Sequence, residues 1–177
     1  MAATAELIIE VGFDKLRIQD VAERAGSGLG TIYRRWKTKE ALIADAIRAF
    51  PETEYALSSD PAADLSAAVQ EKALFYVDNP DLIPGLVAAV RADAGIAEAI
   101  RESYSDEPLR KLFARLLGPN HPQVDLLAEL VPAVLLHRNL FHGRPIEPEA
   151  FAKEVLSITE GLSSGDSSSD AEDASVR

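Results

Sequence analysis

The 177-residue sequence contains no cysteine. Its absence excludes a disulfide framework and thiolate metal sites, and it is compatible with a reducing cytosol. The N-terminus lacks a basic segment followed by a long apolar run, so we expect no signal peptide. The longest apolar-rich stretch, 126–136, contains Glu129 and Pro132 and is too short to span a bilayer. We therefore expect a cytoplasmic protein without a membrane segment.

Patterns typical of strands and of catalysis are missing as well. No alternation of apolar and polar residues persists, whereas apolar residues recur at helical spacing along most of the sequence. There is no nucleophile elbow, no H-E-x-x-H motif and no glycine-rich phosphate loop after a strand. The three histidines do not have the spacing of a metal site. The sequence predicts an all-α protein that is not an enzyme and that needs no metal or cofactor.

The helical segments fall into two groups separated at Pro51. The first group comprises four short segments, at 4–12, 18–26, 29–36 and 38–50, and Thr38 is the predicted N-cap of the fourth. Six further segments follow, at 62–78, 80–93, 95–104, 106–117, 122–142 and 147–162. The remaining residues are polar and acidic without apolar periodicity. We predict a small N-terminal domain at 1–50, a helical body at 51–162 and a disordered acidic tail at 163–177.

Charge is distributed unevenly between these parts. The formal net charge of −11 at first argues against a nucleic-acid partner. Residues 1–49, however, hold eight basic and seven acidic residues, whereas the remainder holds ten basic and twenty-two acidic ones. The segment AGSGLGTIYRRWKTKE (25–40) has four basic residues and no acidic residue before Glu40. This asymmetry indicates an anion-binding module attached to an acidic body.

The second and third segments are joined by Gly-Ser-Gly at 26–28. Their apolar positions can meet only across a tight turn, for which Gly26 supplies the backbone freedom. Two short helices joined in this way are typical of a helix–turn–helix, in which the opposite face of the second helix stays exposed. That face carries Ser27, Gly28, Thr31, Arg34 and Arg35. Arginines there can read guanine or neutralise phosphates, and Lys37 and Lys39 add flanking phosphate contacts.

The pieces EVGFDKL, IQDVAERAG and GTIYRRWKTKEAL resemble the DNA-binding domain of the TetR family of transcriptional regulators, in the family's order and spacing over about residues 5–48. The resemblance implies that 29–36 is the recognition helix. It also implies phosphate contacts from Thr31, Tyr33 and Lys39, and base-facing positions for Gly28, Leu29 and Arg34. The full set of predicted DNA contacts is Arg17, Ser27, Gly28, Leu29, Thr31, Tyr33, Arg34, Arg35, Lys37 and Lys39.

The sequence departs from the family pattern at four points. Arg17 stands where a Ser or Thr commonly caps the second helix, and Ser27-Gly28 replaces the commoner Val-Ser. The family usually has basic residues before its first helix, where this sequence begins MAATAEL. Leu29 has two interpretations. Its spacing to residues 32, 33 and 36 places it in the core, whereas the family position, which we favour, places it at the groove, where it can touch a thymine methyl.

The body is expected to supply a dimer interface, because a short recognition helix reads DNA half-sites in pairs. In the TetR-like architecture the last two helices pair with their twofold mates as a four-helix bundle. The predicted interface residues are Leu127, Val131, Val134, Leu135, Arg138, Val155, Ile158 and Leu162.

The resemblance further implies a small-molecule effector bound within the body. Candidate pocket residues are Phe75, Tyr76, Leu86, Val90, Phe113, Leu116, His137 and Phe141. The predicted function is a homodimeric transcriptional regulator, a repressor that a small molecule releases from a palindromic double-stranded DNA operator. The alternatives are a helical protein–protein adaptor or an all-helical enzyme, neither of which binds DNA.

Overall fold

The computed structural model describes residues 1–50, 53–142 and 146–173. Its helices are α1 (Ala2–Lys15), α2 (Ile18–Arg24), α3 (Leu29–Arg35), α4 (Lys39–Arg48), α5 (Pro61–Asp78), α6 (Leu82–Ala92), α7 (Ala94–Ser103), α8 (Glu107–Leu117), α9 (Val124–His137) and α10 (Pro148–Asp173). A π-helical turn, Arg138–His142, follows α9. No strand occurs in the described ranges. The all-α prediction is confirmed.

Most predicted segments coincide with observed helices, and the differences occur at their ends. Gly12 interrupts α1 with φ 80° and ψ 171°, where the sequence predicted its end, and one further turn continues to Lys15. Helix α10 continues to Asp173, where composition predicts a disordered tail from residue 163. No proline after Pro148 interrupts the i→i−4 hydrogen bonds of this helix. The end of the predicted tail, 174–177, lies outside the described residues.

The chain divides into two units of tertiary contacts. Unit 1 comprises Met1–Glu52 and Asn79–Ser105, and unit 2 comprises Thr53–Asp78 and Asp106–Arg177. This grouping differs from the predicted division near residue 50, because α6 and α7 follow α5 in the sequence yet pack on α1 and α4. Leu82, Ile96 and Ala99 of these two helices are buried in the same core as the first four helices.

Unit 2 is built from α5, α8, α9 and α10 around a core that includes the fully buried Leu65, Phe113 and Leu135. Asp64 is a buried carboxylate at the edge of this core. It accepts hydrogen bonds from the Ser58 amide at 2.8 Å and the Ser58 hydroxyl at 2.7 Å, and Arg115 of α8 donates to it as well. These bonds attach the segment that precedes α5 to α5 and α8, and they hold the pKa of Asp64 below its ordinary value of 3.8.

We expect the Asp64 hydrogen bonds to make unit 2 sensitive to acid. Because the folded pKa is lowered, the unfolded state binds more protons below the ordinary value of 3.8, so the stabilisation is complete above that value and is lost as the pH falls through the folded pKa. Asp64→Asn should lower the thermal midpoint at neutral pH by several degrees and flatten its acid dependence. Thermal unfolding followed across the acid range measures this. Asp125→Asn, which changes an exposed carboxylate of the same unit, is the control, and an equal effect there would contradict the assignment.

No helix in the described part of the chain is both long enough and apolar enough to cross a membrane.

Candidate nucleic-acid interface

The turn between α2 and α3 has the hydrogen-bond pattern of a Schellman motif. Gly26, with φ 58°, follows the C-cap residue Ala25. The Ser27 amide donates to the Ala22 carbonyl at 2.9 Å, and the Gly26 amide donates to the Glu23 carbonyl at 3.1 Å. A left-handed glycine satisfies the last carbonyls of the helix and reverses the chain without a Cβ penalty. The predicted role of Gly26 is therefore confirmed, and Gly28 then begins α3 as an extended N-cap residue.

Helix α3 is attached to unit 1 through only part of its predicted apolar stripe. Ile32 and Trp36 are buried at 6% and 9% exposure. Leu29 and Tyr33 are exposed at 37% and 41%. The prediction that Tyr33 joins Ile32 and Trp36 in the face that meets α2 is wrong, because a seven-residue helix presents only one narrow face to its support. The exposure of Leu29 agrees with the groove interpretation of that residue.

The exposed side of α3 brings together most of the predicted DNA contacts. Gly28, Leu29, Thr31, Tyr33, Arg34 and Arg35 are exposed, and Ser27 is half-buried. Arg34 donates to the Thr31 hydroxyl at 3.2 Å, and the Arg35 guanidinium lies 4.7 Å from the centroid of the Trp36 ring. Within the described residues, both arginines keep their guanidinium groups away from carboxylates, so their positive charge remains available to phosphates.

The start of α4 extends this basic surface. Thr38 is the N-cap residue and accepts a hydrogen bond from the Ala41 amide at 3.1 Å, which confirms the predicted cap. Lys37 is exposed. Lys39 is half-buried and donates to the Asp14 carbonyl at 2.9 Å, so it links α4 to the end of α1. The two lysines therefore differ, since Lys37 projects into solvent whereas Lys39 also holds two helices together.

Two arginines of α2 are neutralised by carboxylates. Arg17 is the extended N-cap residue of α2 and forms no side-chain cap. Its guanidinium donates to both carboxylate oxygens of Asp20 at 2.9 Å. Arg24 forms a bidentate ion pair with Glu10 of α1, with hydrogen bonds of 2.8 and 2.7 Å. A phosphate must compete with Asp20 for Arg17, so Arg17 is a weaker candidate contact than Arg34 or Arg35.

Asp45 contacts Trp36, a pairing that the sequence did not predict. The Trp36 indole N–H donates to an Asp45 carboxylate oxygen at 2.8 Å. A mostly buried tryptophan needs a partner for its N–H, and Asp45, the acidic residue within the otherwise apolar stretch 41–47, is the type of residue that supplies one. Both residue types are visible in the sequence. The two positions are nine residues apart, however, and helical spacing does not predict that they pair.

The predicted effector-pocket residues are divided between the two units. Leu86 and Val90 pack against the core of unit 1. Phe113 is completely buried in unit 2, where Tyr76 and Leu116 pack against the same core. The rings of Phe75 and Tyr76 meet edge to face with centroids 6.3 Å apart, and those of His137 and the exposed Phe141 lie 5.5 Å apart. The set as a whole stays a prediction.

Six of the eight predicted interface residues border one apolar groove in unit 2. Arg138 pairs with Glu154 across it at 3.1 Å and lies 4.9 Å from the centroid of the Phe151 ring. Within the predicted set, Leu135 is fully buried and Leu162 is partly buried in the core rather than in the groove. The groove is lined by Leu127, Leu130, Val131, Val134, Arg138, Phe151, Glu154, Val155 and Ile158.

A short helix presented by a glycine turn, with an exposed face of arginines and small residues, defines a helix–turn–helix DNA-binding protein. A family model described as bacterial regulatory proteins, tetR family, matches residues 1–46. The DNA-binding transcriptional repressor TetR of Mycobacteroides abscessus is 29% identical over 169 residues, which cover 88% of this chain and 87% of that protein. The uncharacterized HTH-type transcriptional regulator YdeS of Bacillus subtilis is 30% identical over 179 aligned positions, covering 92% and 87%.

Solved structures agree with these sequence relatives. The TetR family transcription regulator SCO0332 has a TM-score of 0.63 and 25% identity, covering 90% of this chain and 93% of that one. The multidrug binding protein EbrR, complexed with proflavin, has a TM-score of 0.58 and 22% identity, covering 89% of this chain and 95% of that one. This similarity shows that the two proteins share a fold. The chain belongs to the TetR family of bacterial regulatory proteins. It is a DNA-binding transcription regulator and not an enzyme.

Proposed function

We propose that this regulator is a homodimeric repressor that binds a palindromic operator and is released from it by a small molecule. The main observation in support is the exposed face of α3, which carries Arg34 and Arg35 together with small residues. Ile32 and Trp36, on the opposite face, anchor the helix to the core. A relative 29% identical is named as a DNA-binding transcriptional repressor, which supports repression as the output. Its place of action is then the cytoplasm, where the DNA is.

The proposed dimer forms through the groove between α9 and α10. Ile158 and Leu130 at this groove are exposed at 58% and 43%, although the lining is almost entirely apolar. Covering such a surface with the same surface of a second copy removes it from water in a closed twofold arrangement. A dimer would present two α3 helices to half-sites centred about one helical turn of DNA apart, or a multiple of that distance.

The proposed effector site lies in unit 2. EbrR, which shares the fold, is a multidrug binding protein complexed with proflavin, and this supports a small-molecule ligand for the present chain. Among the predicted pocket residues, Tyr76 combines an aromatic ring with a hydroxyl in a mostly buried setting, where burial raises the pKa of that hydroxyl. A partly buried phenol of this kind can orient a small-molecule ligand by one hydrogen bond.

Selection of bound sequences from a random DNA pool tests the proposed function. We expect recovery of an inverted repeat, with binding that weakens steeply as salt increases because phosphate contacts release counterions. Small molecules can then be screened for release of the protein from that sequence. Recovery of no preferred sequence at moderate salt would contradict operator recognition. A single unrepeated site would contradict the twofold arrangement.

Leu29 provides a sharper test of base contact. If its exposed side chain touches a thymine methyl, replacing that thymine by uracil in the selected operator should weaken binding by about fourfold, the value of one buried methyl group. Leu29→Ala should bind the thymine and uracil operators equally. Titration of both proteins against both operators measures the difference. The same loss with uracil in both proteins would place the methyl contact elsewhere.

A further inference from the structure

The end of the recognition helix is held by a hydrogen bond from the only tryptophan in the sequence. Trp36 is the C-cap residue of α3 and directly follows Arg35. Its indole N–H donates at 2.8 Å to Asp45, which lies in the middle of α4. Ile32 and Trp36 are the buried residues of the short segment 28–36. A hydrogen bond that fixes the Trp36 side chain therefore helps to fix the orientation of α3.

Asp45 uses its other carboxylate oxygen to contact Arg48. The Arg48 Nη1–Asp45 Oδ1 distance is 3.5 Å, and Arg48 Nε donates to the Glu102 carboxylate of α7 at 2.6 Å. Trp36, Asp45, Arg48 and Glu102, here called the Asp45 network, therefore form an unbroken series of contacts from α7 through α4 to α3. All four residues belong to unit 1.

The network continues to a DNA-facing side chain. The Arg35 guanidinium lies 4.7 Å from the centroid of the Trp36 ring. A change in the orientation of the indole would therefore also change the position of this guanidinium. Exposed ion pairs alone contribute little to stability, and Arg48, Asp45 and Glu102 are all partly exposed. The consequence of the network is therefore expected in the orientation of α3 more than in the stability of the unit.

We propose that Asp45 is a positioning residue for DNA recognition: by holding the Trp36 indole and the Arg48 guanidinium together, it makes the orientation of the recognition helix depend on Glu102 of α7. The proposal rests on α3 being the helix that reads DNA. Asp45, Arg48 and Glu102 are not among the predicted DNA contacts, so α7 would influence operator affinity through α3.

Operator titration of two alanine variants tests the proposal. We expect Asp45→Ala to weaken operator binding by about tenfold, since a hydrogen bond to a charged group is removed. Glu102→Ala should weaken it by about threefold, since one ion pair is removed. Both variants remove a negative charge, which by itself would strengthen binding to DNA, so a decrease cannot come from net charge. The control Glu98→Ala removes the same charge from α7, where Glu98 pairs mainly with Arg101 at 2.6 Å.

A double-mutant cycle then separates positioning from general weakening of the fold. Trp36→Phe combined with Glu102→Ala should bind the operator no more weakly than Trp36→Phe alone, whereas independent residues would multiply their losses. The fluorescence of the single tryptophan should shift in Asp45→Ala and in Glu102→Ala but not in Glu98→Ala. Asp45→Asn, whose amide oxygen can still accept from the indole, should recover part of the affinity.

Two results would contradict the positioning role of Asp45 while leaving operator recognition intact. One is unchanged operator affinity and fluorescence in Glu102→Ala, and the other is a fully multiplicative loss of affinity in the double-mutant cycle. Failure of the wild-type protein to prefer any DNA sequence would instead overturn the proposed function, and the fluorescence comparison would still report whether Glu102 influences Trp36.

Discussion

Replacing Arg34 and Arg35 together by glutamate is expected to abolish operator binding, with a loss of at least about 100-fold at moderate salt. Both guanidinium groups lie on the exposed side of α3, and neither is paired with a carboxylate of the described residues. Reversal removes two cations from each recognition helix and adds two anions that repel phosphate. The salt dependence should also become shallower, by about one unit of slope for each phosphate that the protein no longer neutralises.

The fold should survive this change because neither arginine is buried. Circular dichroism and sedimentation of the double variant should therefore match the wild type, while electrophoretic or anisotropy titration shows the loss of DNA binding. Arg91→Glu with Arg101→Glu is the matched control, since it makes the same change of charge on α6 and α7 of unit 1. Equal losses in the two double variants would mean that net charge, not the face of α3, determines binding. Retained operator binding in the Arg34 and Arg35 variant would mean that another surface of the protein contacts the operator.

The second large effect is expected at the groove of α9 and α10. Ile158→Glu combined with Leu130→Glu should convert the proposed dimer into a monomer of 19.1 kDa, because dimerisation would bury two carboxylates per subunit against apolar side chains. Operator affinity should then fall by at least about 100-fold, since each α3 must bind its half-site alone. Sedimentation equilibrium measures the mass, and titration of the operator measures the affinity.

Leu74→Glu is the control for the groove variant. Leu74 of α5 is exposed at 43%, the same fraction as Leu130, yet it does not line the groove. It should therefore leave both the mass and the operator affinity unchanged. A wild-type protein that sediments at 19.1 kDa at micromolar concentration, or a groove variant that remains dimeric, would contradict the proposed interface.

Much of the fold could be predicted because its signals are local. Apolar residues at helical spacing located the helices, and Gly12, Gly26 and Gly118 all adopt positive φ where a helix is interrupted or ends. Thr38 was recognised as a cap because a hydroxyl three residues before a free amide accepts its hydrogen bond. The exposed basic face of α3 followed in the same way, since burying one face of a short helix leaves the other in solvent.

Other features depended on residues far apart in the sequence. Spacing alone placed Leu29 and Tyr33 beside Ile32 and Trp36, but the support beneath α3 is too narrow to cover all four. The association of α6 and α7 with the N-terminal helices was also hidden, because α5 separates them in the sequence. The pairing of Lys39 with the Asp14 carbonyl joins positions 25 residues apart and has no sequence signature.

By itself, the sequence determined an all-helical chain, the glycine turn before α3 and the basic face that follows it. These properties depend on backbone freedom, capping and periodicity, each of which acts over a few neighbouring residues. Only the tertiary structure decided which cations remain available to DNA, because Arg17 and Arg24 meet carboxylates whereas Arg34 and Arg35 meet none among the described residues. It also decided that Trp36 bonds to Asp45, and thereby that α7 is connected to α3. Such pairings form where helices cross, and the crossing points depend on the packing of the whole unit.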